Sequence, residues 1–433
     1  MAIRPTDLQH AGQFQRVVAR AAHRAFRAEG GFDADRHHHA LRLSGEQVDY
    51  FFATPDQPQQ PEALFPRVRW GGQVIVLNRR EEHVRQLAHK YQARCGFALE
   101  QGPRVLRVGP LGGLMPFVSQ RWHYLVARKV NLLPPGQTTD RFTFHVQLGR
   151  FNGGDYAVIK TVPSYGSVMV RLKQRFPDTP YQALAGRARK LVDKIFPVFL
   201  TREAAFLRLL QRDLPPKFRS RVPHVLGIER GKDGMVRKLA MNWLRLGTRP
   251  ITQMQFGLQA AELLRALHDK AHLVHLDLRM DNIVISEEGV CFVDFGSAVR
   301  MDEDLSQSPM LHTLFNEMMS TSQIQRLLGR MKESGKVTSQ VLVQGHQKID
   351  KAADLFYLAM QISQPHTCPE LVPLIEHDPN TQTARRIGRL TKHILRPPDP
   401  MHPRHTSAAD ILRDLKRIDA GQPLPFEQQR AAS

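Results

Sequence analysis

Three side chains with hard oxygen or amide ends dominate the chemistry available to this chain. The segment HLDLRMDNIVISEEGVCFVDFG, residues 275–296, carries Asp277 and Asn282 five positions apart and ends on Asp294. Between them lie an apolar run, a turn at Glu287-Glu288-Gly289 and a second apolar run at 290–293. That pattern predicts two short strands folded back on each other, with the carboxylates and the amide at one edge. Such an edge suits Mg²⁺, a cation of oxygen ligands, with ATP completing the coordination. One acidic group is left over to orient a hydroxyl nucleophile. The chemistry implied is phosphoryl transfer.

At this point the residues resemble the protein kinase signature. His275-Leu276-Asp277-Leu278 with Asn282, followed by Asp294-Phe295-Gly296, is similar to H-R-D-L-x-x-x-N followed by D-F-G. A lone Asp-Phe-Gly is an ordinary turn; the two motifs in order and at hairpin spacing are specific. Upstream, Ala157-Val158-Ile159-Lys160 resembles the family's V-A-I-K strand. It follows an alternating stretch at 141–148 and a turn at Asn152-Gly153-Gly154, which predicts the second arm of a hairpin. The resemblance implies that Lys160 grips the nucleotide phosphates, where a lone strand-end Lys would be a solvated edge charge. Thr201-Arg202-Glu203 is predicted to open a helix with Leu207 and Leu210 on the Glu203 face. It resembles the family's αC helix, whose Glu pairs with the strand Lys; the plain alternative is an exposed helix Glu.

Further landmarks follow in family order. Residues 239–246 (LAMNWLRL) resemble the hinge, which implies Met241 at the back of a nucleotide pocket and the backbone of Asn242 to Leu244 against adenine. Residues 260–267 are amphipathic. Asp354-Leu355-Phe356-Tyr357-Leu358-Ala359 resembles the helix whose Asp braces the catalytic loop, with Phe356 standing for a Trp. Asp399-Pro400 with Arg404 resembles the closing D-P-x-x-R segment. The likeness covers about 300 residues, from 122 to 418.

The departures are as informative. No G-x-G-x-x-G exists; residues 134–140 (PPGQTTD) offer Gly136 and two hydroxyls as a turn over phosphates, with fewer close amides. Asp140 there repels phosphate unless it points away. Weaker nucleotide affinity is expected. Leu276 replaces the Arg of H-R-D and cannot read a phosphate on a downstream loop. No A-P-E follows, and residues 297–347 carry helical periodicity at 311–319 and 324–331, expected to form a substrate platform. Some 40 residues separate Lys160 from Glu203, an insertion before the αC-like helix. Arg279 stands two residues after Asp277, where protein kinases carry a cation for the γ-phosphate. Its plain alternative is a salt bridge to Asp281 or Glu287.

Bulk properties bound the rest. The 433 residues exceed one average domain, and the predicted division is 1–120 and 121–433, the latter as 121–244, 245–420 and a tail at 421–433. No apolar run is long enough to span a membrane, and no signal-peptide core opens the chain. The amphipathic, Arg-rich opening reads as an exposed basic helix rather than a transit peptide. Cys95, Cys291 and Cys368 form no metal or disulfide pattern, which fits a reducing cytoplasm. Net charge is +20, and residues 171–220 hold 12 Lys/Arg against 4 Asp/Glu. That face suits acidic peptides, nucleic acid or anionic lipid, or is simply solvated. His37-His38-His39 reads as an exposed tract, and 54–61 (TPDQPQQP) as a linker. A strand at 72–77, a helix at 81–94 and a strand at 105–108 predict a small α/β module.

The expected fold is therefore α+β: a bilobal protein-kinase-like fold, with an antiparallel-sheet N-lobe holding the αC helix and a mainly helical C-lobe, after a small α/β N-terminal module. The expected activity is transfer of the γ-phosphoryl of Mg-ATP to a protein hydroxyl, in the manner of a bacterial-type Ser/Thr kinase. Lys160, held by Glu203, orients the phosphates; Asn282 and Asp294 carry Mg²⁺; Asp277 takes the acceptor proton; Arg279 steadies the γ-phosphate. Two alternatives stand beside it: a small-molecule, sugar or lipopolysaccharide kinase, and a nucleotide-binding scaffold with little turnover.

Overall fold

The computed structural model describes residues 52–53, 68, 70–78, 80–94, 96–108, 120–131, 144–152, 154–247, 249–301, 351–363, 374–376, 378–395 and 405–427. They form an α+β structure of antiparallel sheets and helices. The chain divides into two compact units, residues 1–138 with 146–156, and residues 139–145 with 157–433.

Among the described residues the first unit is a sheet backed by one helix. Its strands are β1 (Phe52–Ala53), β2 (Gln73–Asn78), β3 (Phe97–Val108) and β4 (Gln120–Lys129), in the order β1-β2-β4-β3. Helix α1 (Glu81–Arg94) follows β2. Its Val84, Leu87, Ala88 and Tyr91 recur at the spacing of one helical face and bury against Val74, Val76, Leu125 and Ala127. Glu81 and Glu82 stand in its first turn, where negative charge suits the helix dipole. Beside the strands expected at 72–77 and 105–108, the sheet holds two more, β1 and β4. Strand β4, expected to begin the second module, pairs antiparallel along its length with both β2 and β3. Its Leu125 and Ala127 complete the core of α1, and the first unit takes in residues up to 138. Residues from 146 onward in strand β5 (His145–Arg150) also count with this unit.

The second unit begins with a small antiparallel sheet. Strand β6 (Tyr156–Thr161, of which all but Tyr156 belong here) pairs with β8 (Val236–Asn242), and β8 pairs with β7 (Val225–Arg230). The insertion after β6 folds as two helices, α2 (Tyr165–Arg175) and α3 (Tyr181–Lys190). A π-helical turn, Leu191–Ile195, runs on into α4 (Phe196–Asp213). The helix bearing Glu203 therefore opens at Phe196, not at Thr201 as predicted. Pro197 follows the π-helical turn directly, where the Phe196 amide reaches back to the Leu191 carbonyl. The Thr201 hydroxyl donates to the Pro197 carbonyl at 2.7 Å and accepts from the Val236 amide at 2.8 Å, tying α4 to β8 instead of capping a helix.

Beyond the short α5 (Pro216–Arg219) and β9 (Ile251–Thr252), helix α6 (Gln253–Lys270) starts with a capping box between Thr252 and Gln255. Short strands follow: β10 (Leu273–Val274), β11 (Ile283–Ser286), β12 (Gly289–Phe292) and β13 (Val299–Arg300). Then come α7 (Ala352–Ser363), β14 (Ile375–Glu376), α8 (Thr381–Leu395) and α9 (Ala408–Asp419). Phe256, Leu263 and Leu267 of α6 share one core with Leu358 of α7, Leu390 of α8 and Leu415 of α9, continuous with Leu207 of α4 and Leu239 of β8. Among the described residues no helix is long and apolar enough to cross a membrane. Cys291 is buried. Gly136, Asp140, the periodic stretches at 311–319 and 324–331, Asp399-Pro400 with Arg404, His37-His38-His39, Cys95 and Cys368 lie outside the described residues.

Candidate functional site

The edge that carries the chemistry is built by the β11–β12 hairpin. The strands pair from Ile283↔Phe292 to Ser286↔Gly289, so Glu287 and Glu288 form a two-residue loop. Gly289 has φ +103°, a left-handed backbone that a side chain would strain. Buried Arg221 locks the hairpin: its Nε donates to the Val290 carbonyl at 2.8 Å and its Nη2 to the Gln259 carbonyl at 2.7 Å. At the open end the Val293 amide donates to the Asn282 carbonyl at 3.0 Å, which sets Asp294 next to the 275–282 loop.

That loop hangs on Asp354. The fully buried Asp354 carboxylate accepts from the His275 amide (2.7 Å), the Leu276 amide (2.8 Å) and His268 Nε2 (2.9 Å). His275 Nδ1 faces the Asp277 amide at 3.4 Å and its Nε2 faces the Val293 carbonyl at 3.1 Å, which assigns the proton to Nε2. Leu276 and Asp294 hold left-handed backbone, φ +63° and +61°. Such residues cost about 1–3 kcal/mol each and persist where their surroundings over-determine them. Here Asp354 fixes the first, and the bond from the Gly296 amide to Asp294 Oδ1 at 3.4 Å helps fix the second.

Within the loop, Asn282 Nδ2 donates to the Asp277 carbonyl (2.8 Å) and to Asp277 Oδ2 (2.9 Å). The nitrogen of Asn282 is thus engaged with Asp277, and its amide oxygen takes no part in either bond. Burial pushes the Asp277 carboxyl above the usual range; Arg279 opposes that shift and the Asp294 carboxylate adds to it. Arg279 Nε lies 3.5 Å from Asp277 Oδ1, while the guanidinium also grips Asp281 through Nε at 2.9 Å and through Nη2. The surface-bridge alternative for Arg279 and its place beside Asp277 are thus both present in one arrangement.

Lys160, Glu203 and Asp294 meet although 43 and 134 residues separate the lysine from its partners. The Lys160 Nζ donates to Glu203 Oε2 at 2.8 Å and to Asp294 Oδ1 at 2.7 Å. Lys160 and Glu203 are buried, whereas the Asp294 side chain is 44% exposed. Burial disfavours the lysine's charge, but the Asp294 and Glu203 carboxylates outweigh it and hold the ammonium above its ordinary pKa. Glu203 is pushed up to about 7 by burial, against the pull of Lys160 and helped by Asp294. Asp294 lies below the usual carboxylate range: burial raises it, and Lys160 overcomes that.

The residues expected to meet a nucleotide line up on the adjacent strands. Register pairs Lys160 with Leu239 and Val158 with Met241, so these four side chains share one face of the sheet. Met241 is buried in the core. The Asn242 side chain instead accepts from the His224 amide at 2.7 Å, and Leu244 is half-buried in the chain leaving β8. Gly247 then passes so close to the hairpin that a Cβ would meet the Ser286 carbonyl carbon at 2.9 Å. Two contributors escaped sequence reading. The Phe144 ring lies 4.8 Å from Lys160 Nζ, a cation–π contact, and Phe199 flanks Gly296. An aromatic before a strand and another on a helix face carry no signal that separates them from core.

The donor set fits a Mg-nucleotide. Both hydrogen bonds of the Asp294 carboxylate fall on Oδ1, which leaves Oδ2 for a further ligand among the described residues, with the amide oxygen of Asn282 as the second candidate. No group of three or more His, Cys, Asp or Glu gathers among the described residues. Mg²⁺ needs none, because it takes one or two carboxylates and completes its shell with phosphates and water.

The chain is similar over short stretches to the serine/threonine-protein kinase mos of Gymnogyps californianus, 52% identical over 44 residues, covering 10% of this chain and 22% of that protein. For Vultur gryphus the identity is 55% over 38 residues, 8% of this chain and 19% of that protein. For Apteryx australis it is 46% over 46 residues, 10% and 22%. The chain spans about a fifth of the length of these curated relatives. No family model matches it. These matches support a protein kinase-like relationship and reach no further.

Proposed function

We propose that the chain is an ATP-dependent phosphotransferase of bilobal, kinase-like fold that acts on Ser or Thr hydroxyls of proteins. The observation that carries this reading is the buried Lys160 ammonium shared between Glu203 and Asp294. A buried cation held by two acids is expensive unless a polyanion uses it, because ion pairs in the interior repay their desolvation poorly. Nucleotide phosphates against Lys160, with Met241 and the backbone of 242–244 against the base, use it.

The residues then divide the work. Mg²⁺, when bound, neutralises charge on the phosphate oxygens, and Asp294 Oδ2 and the Asn282 oxygen are the groups that would hold it. Asp277, its carboxyl raised by burial and oriented by Asn282, accepts the proton of the acceptor hydroxyl. That oxygen bonds to the γ-phosphorus as the bond to the β,γ-bridging oxygen breaks, and ADP leaves. Arg279, beside Asp277, stabilises charge on the transferring group. The test is incubation of the purified chain with γ-labelled ATP, Mg²⁺, protein acceptors and a sugar panel. Label on Ser or Thr of protein is expected. Label confined to sugars moves the reading to a small-molecule kinase, and no transfer above background makes the chain a nucleotide-binding scaffold.

A further inference from the structure

The insertion between Lys160 and Glu203 has no part in the chemistry described above, yet it is packed against the elements that carry that chemistry. Val168 and Leu172 of α2 and Leu184 of α3 are buried in one apolar cluster with Phe196 and Phe199 of α4 and with Leu276. Leu276 stands in the 275–282 loop one position before Asp277 and is only 6% exposed. Its amide is fixed by Asp354 and its side chain lies in this cluster, so backbone and side chain are held from different elements. Phe199 stands one turn before Glu203, and both reach Gly296: a Cβ there would lie 3.7 Å from Glu203 Oε2 and 3.8 Å from Phe199 Cδ1. One apolar body thus joins the inserted helices, the start of α4 and the loop that carries Asp277.

We propose that α2 and α3 form an apolar brace, with Leu276 as a positioning residue, that holds Glu203 and Asp277 in register by packing alone. The proposal rests on the kinase reading for its catalytic consequence but not for the brace itself. Close-packed apolar contacts are short-ranged and sensitive to the loss of single methylene groups, so they transmit position well. No phosphate is needed on the segment after Gly296, since the group beside Asp277 that would have to read it is a leucine already occupied in the cluster.

The experiment compares wild type with Leu276→Ala, Leu172→Ala, their double variant and Leu276→Met, by amide hydrogen exchange and by steady-state phosphotransfer. Each alanine is expected to speed exchange both at 199–206 and at 275–282, including the segment it does not belong to. Turnover should fall about tenfold or more while KM for ATP moves less than about twofold, the pattern of lost positioning. The double variant should be well short of the product of the singles, as for residues coupled through one packed body. Leu276→Met, which conserves volume, should restore both readouts. If Leu276→Ala does not fold, Leu172→Ala alone carries the comparison, since it must reach residues 275–282 from α2, a separate element of the same cluster. Exchange confined to the mutated element, or independent effects of the two alanines, overturns the brace. Absence of phosphotransfer in wild type defeats the kinase reading instead, and exchange alone then decides the brace.

Discussion

Asp277 and Asp294 are both carboxylates at one edge, but their surroundings push them apart. Asp277 is raised by burial and bonded to Asn282, while Asp294 is depressed against Lys160. Asp277→Asn should therefore keep Mg-dependent nucleotide binding and lower turnover by roughly 10² to 10⁴, the scale of a positioned base. Asp294→Asn should weaken that binding in calorimetry with Mg²⁺; equal affinity would remove Asp294 from the metal. Glu203 supplies the pH dependence. With its carboxyl raised to about 7, it takes a proton as pH falls through that value and lets go of Lys160. Turnover should drop between pH 8 and pH 6, and Glu203→Gln should be low and flat over that range. Stability runs the other way. The folded state holds this proton more tightly than the unfolded chain does, so the Glu203 contribution is present below its unfolded pKa, near 4.5, and is lost as pH rises through about 7. Thermal melts of wild type against Glu203→Gln from pH 5 to 8 check the sign. The pairing of Lys160 with Glu203 was legible from motif order, whereas the bond from Lys160 to Asp294 was not, because the same motif reads Asp294 only as a metal ligand. The double grip of Arg279 on Asp281 was legible only as one of two options, since spacing alone does not say which acid a long side chain prefers.

Helix α7 shows how an element serves a site it does not enter. Asp354, at 0% exposure, takes two loop amides and His268, so Asp354→Ala leaves several buried donors without a partner. The expected cost is about 3–5 kcal/mol, read as a lower denaturant midpoint, with turnover lost at temperatures where the variant remains folded. Asp354→Asn keeps the shape but places an amide nitrogen against donors, and should be intermediate. The helix and its brace were legible from a short motif. The start of α4 was not: a local reading opens the helix at Thr201, while tertiary contact makes that hydroxyl a link to β8. Strand β4 shows the same dependence on tertiary contact. Its alternation is satisfied equally by two sheets, and only the apolar face of α1 decides between them. Packing also bears on regulation. With Leu276 buried among α2, α3 and α4, phosphatase-treated protein should keep its full turnover; a large loss restored by rephosphorylation at Ser306 or Ser308 would refute that.

For the molecule as a whole the informative quantity is charge, +20 over 433 residues. Composition cannot say where that charge faces, and the folded second unit does so for part of it. Lys173 on α2, Arg189 and Lys190 on α3, and Lys194 in the π-helical turn are exposed, on the same inserted segment whose apolar side is buried. A protein acceptor of acidic sequence should therefore be favoured over a neutral one, through long-range attraction that raises encounter. Such attraction is screened over about 10 Å at 0.1 M salt. Preference for the acidic peptide, measured as the ratio of kcat/KM values, should fall steadily with added salt. Combining Lys173→Glu, Arg189→Glu and Lys194→Glu should lower that ratio about three- to tenfold at low salt and leave the neutral peptide nearly unchanged, a size typical of steering terms. The two proteins should converge as salt rises. KM for ATP is the internal control, because a loss of affinity for every anion alike would mark a general field rather than a docking face. If the triple variant discriminates the peptides as wild type does at every salt concentration, the inserted helices carry solvated charge only, and acceptor choice lies elsewhere on the chain.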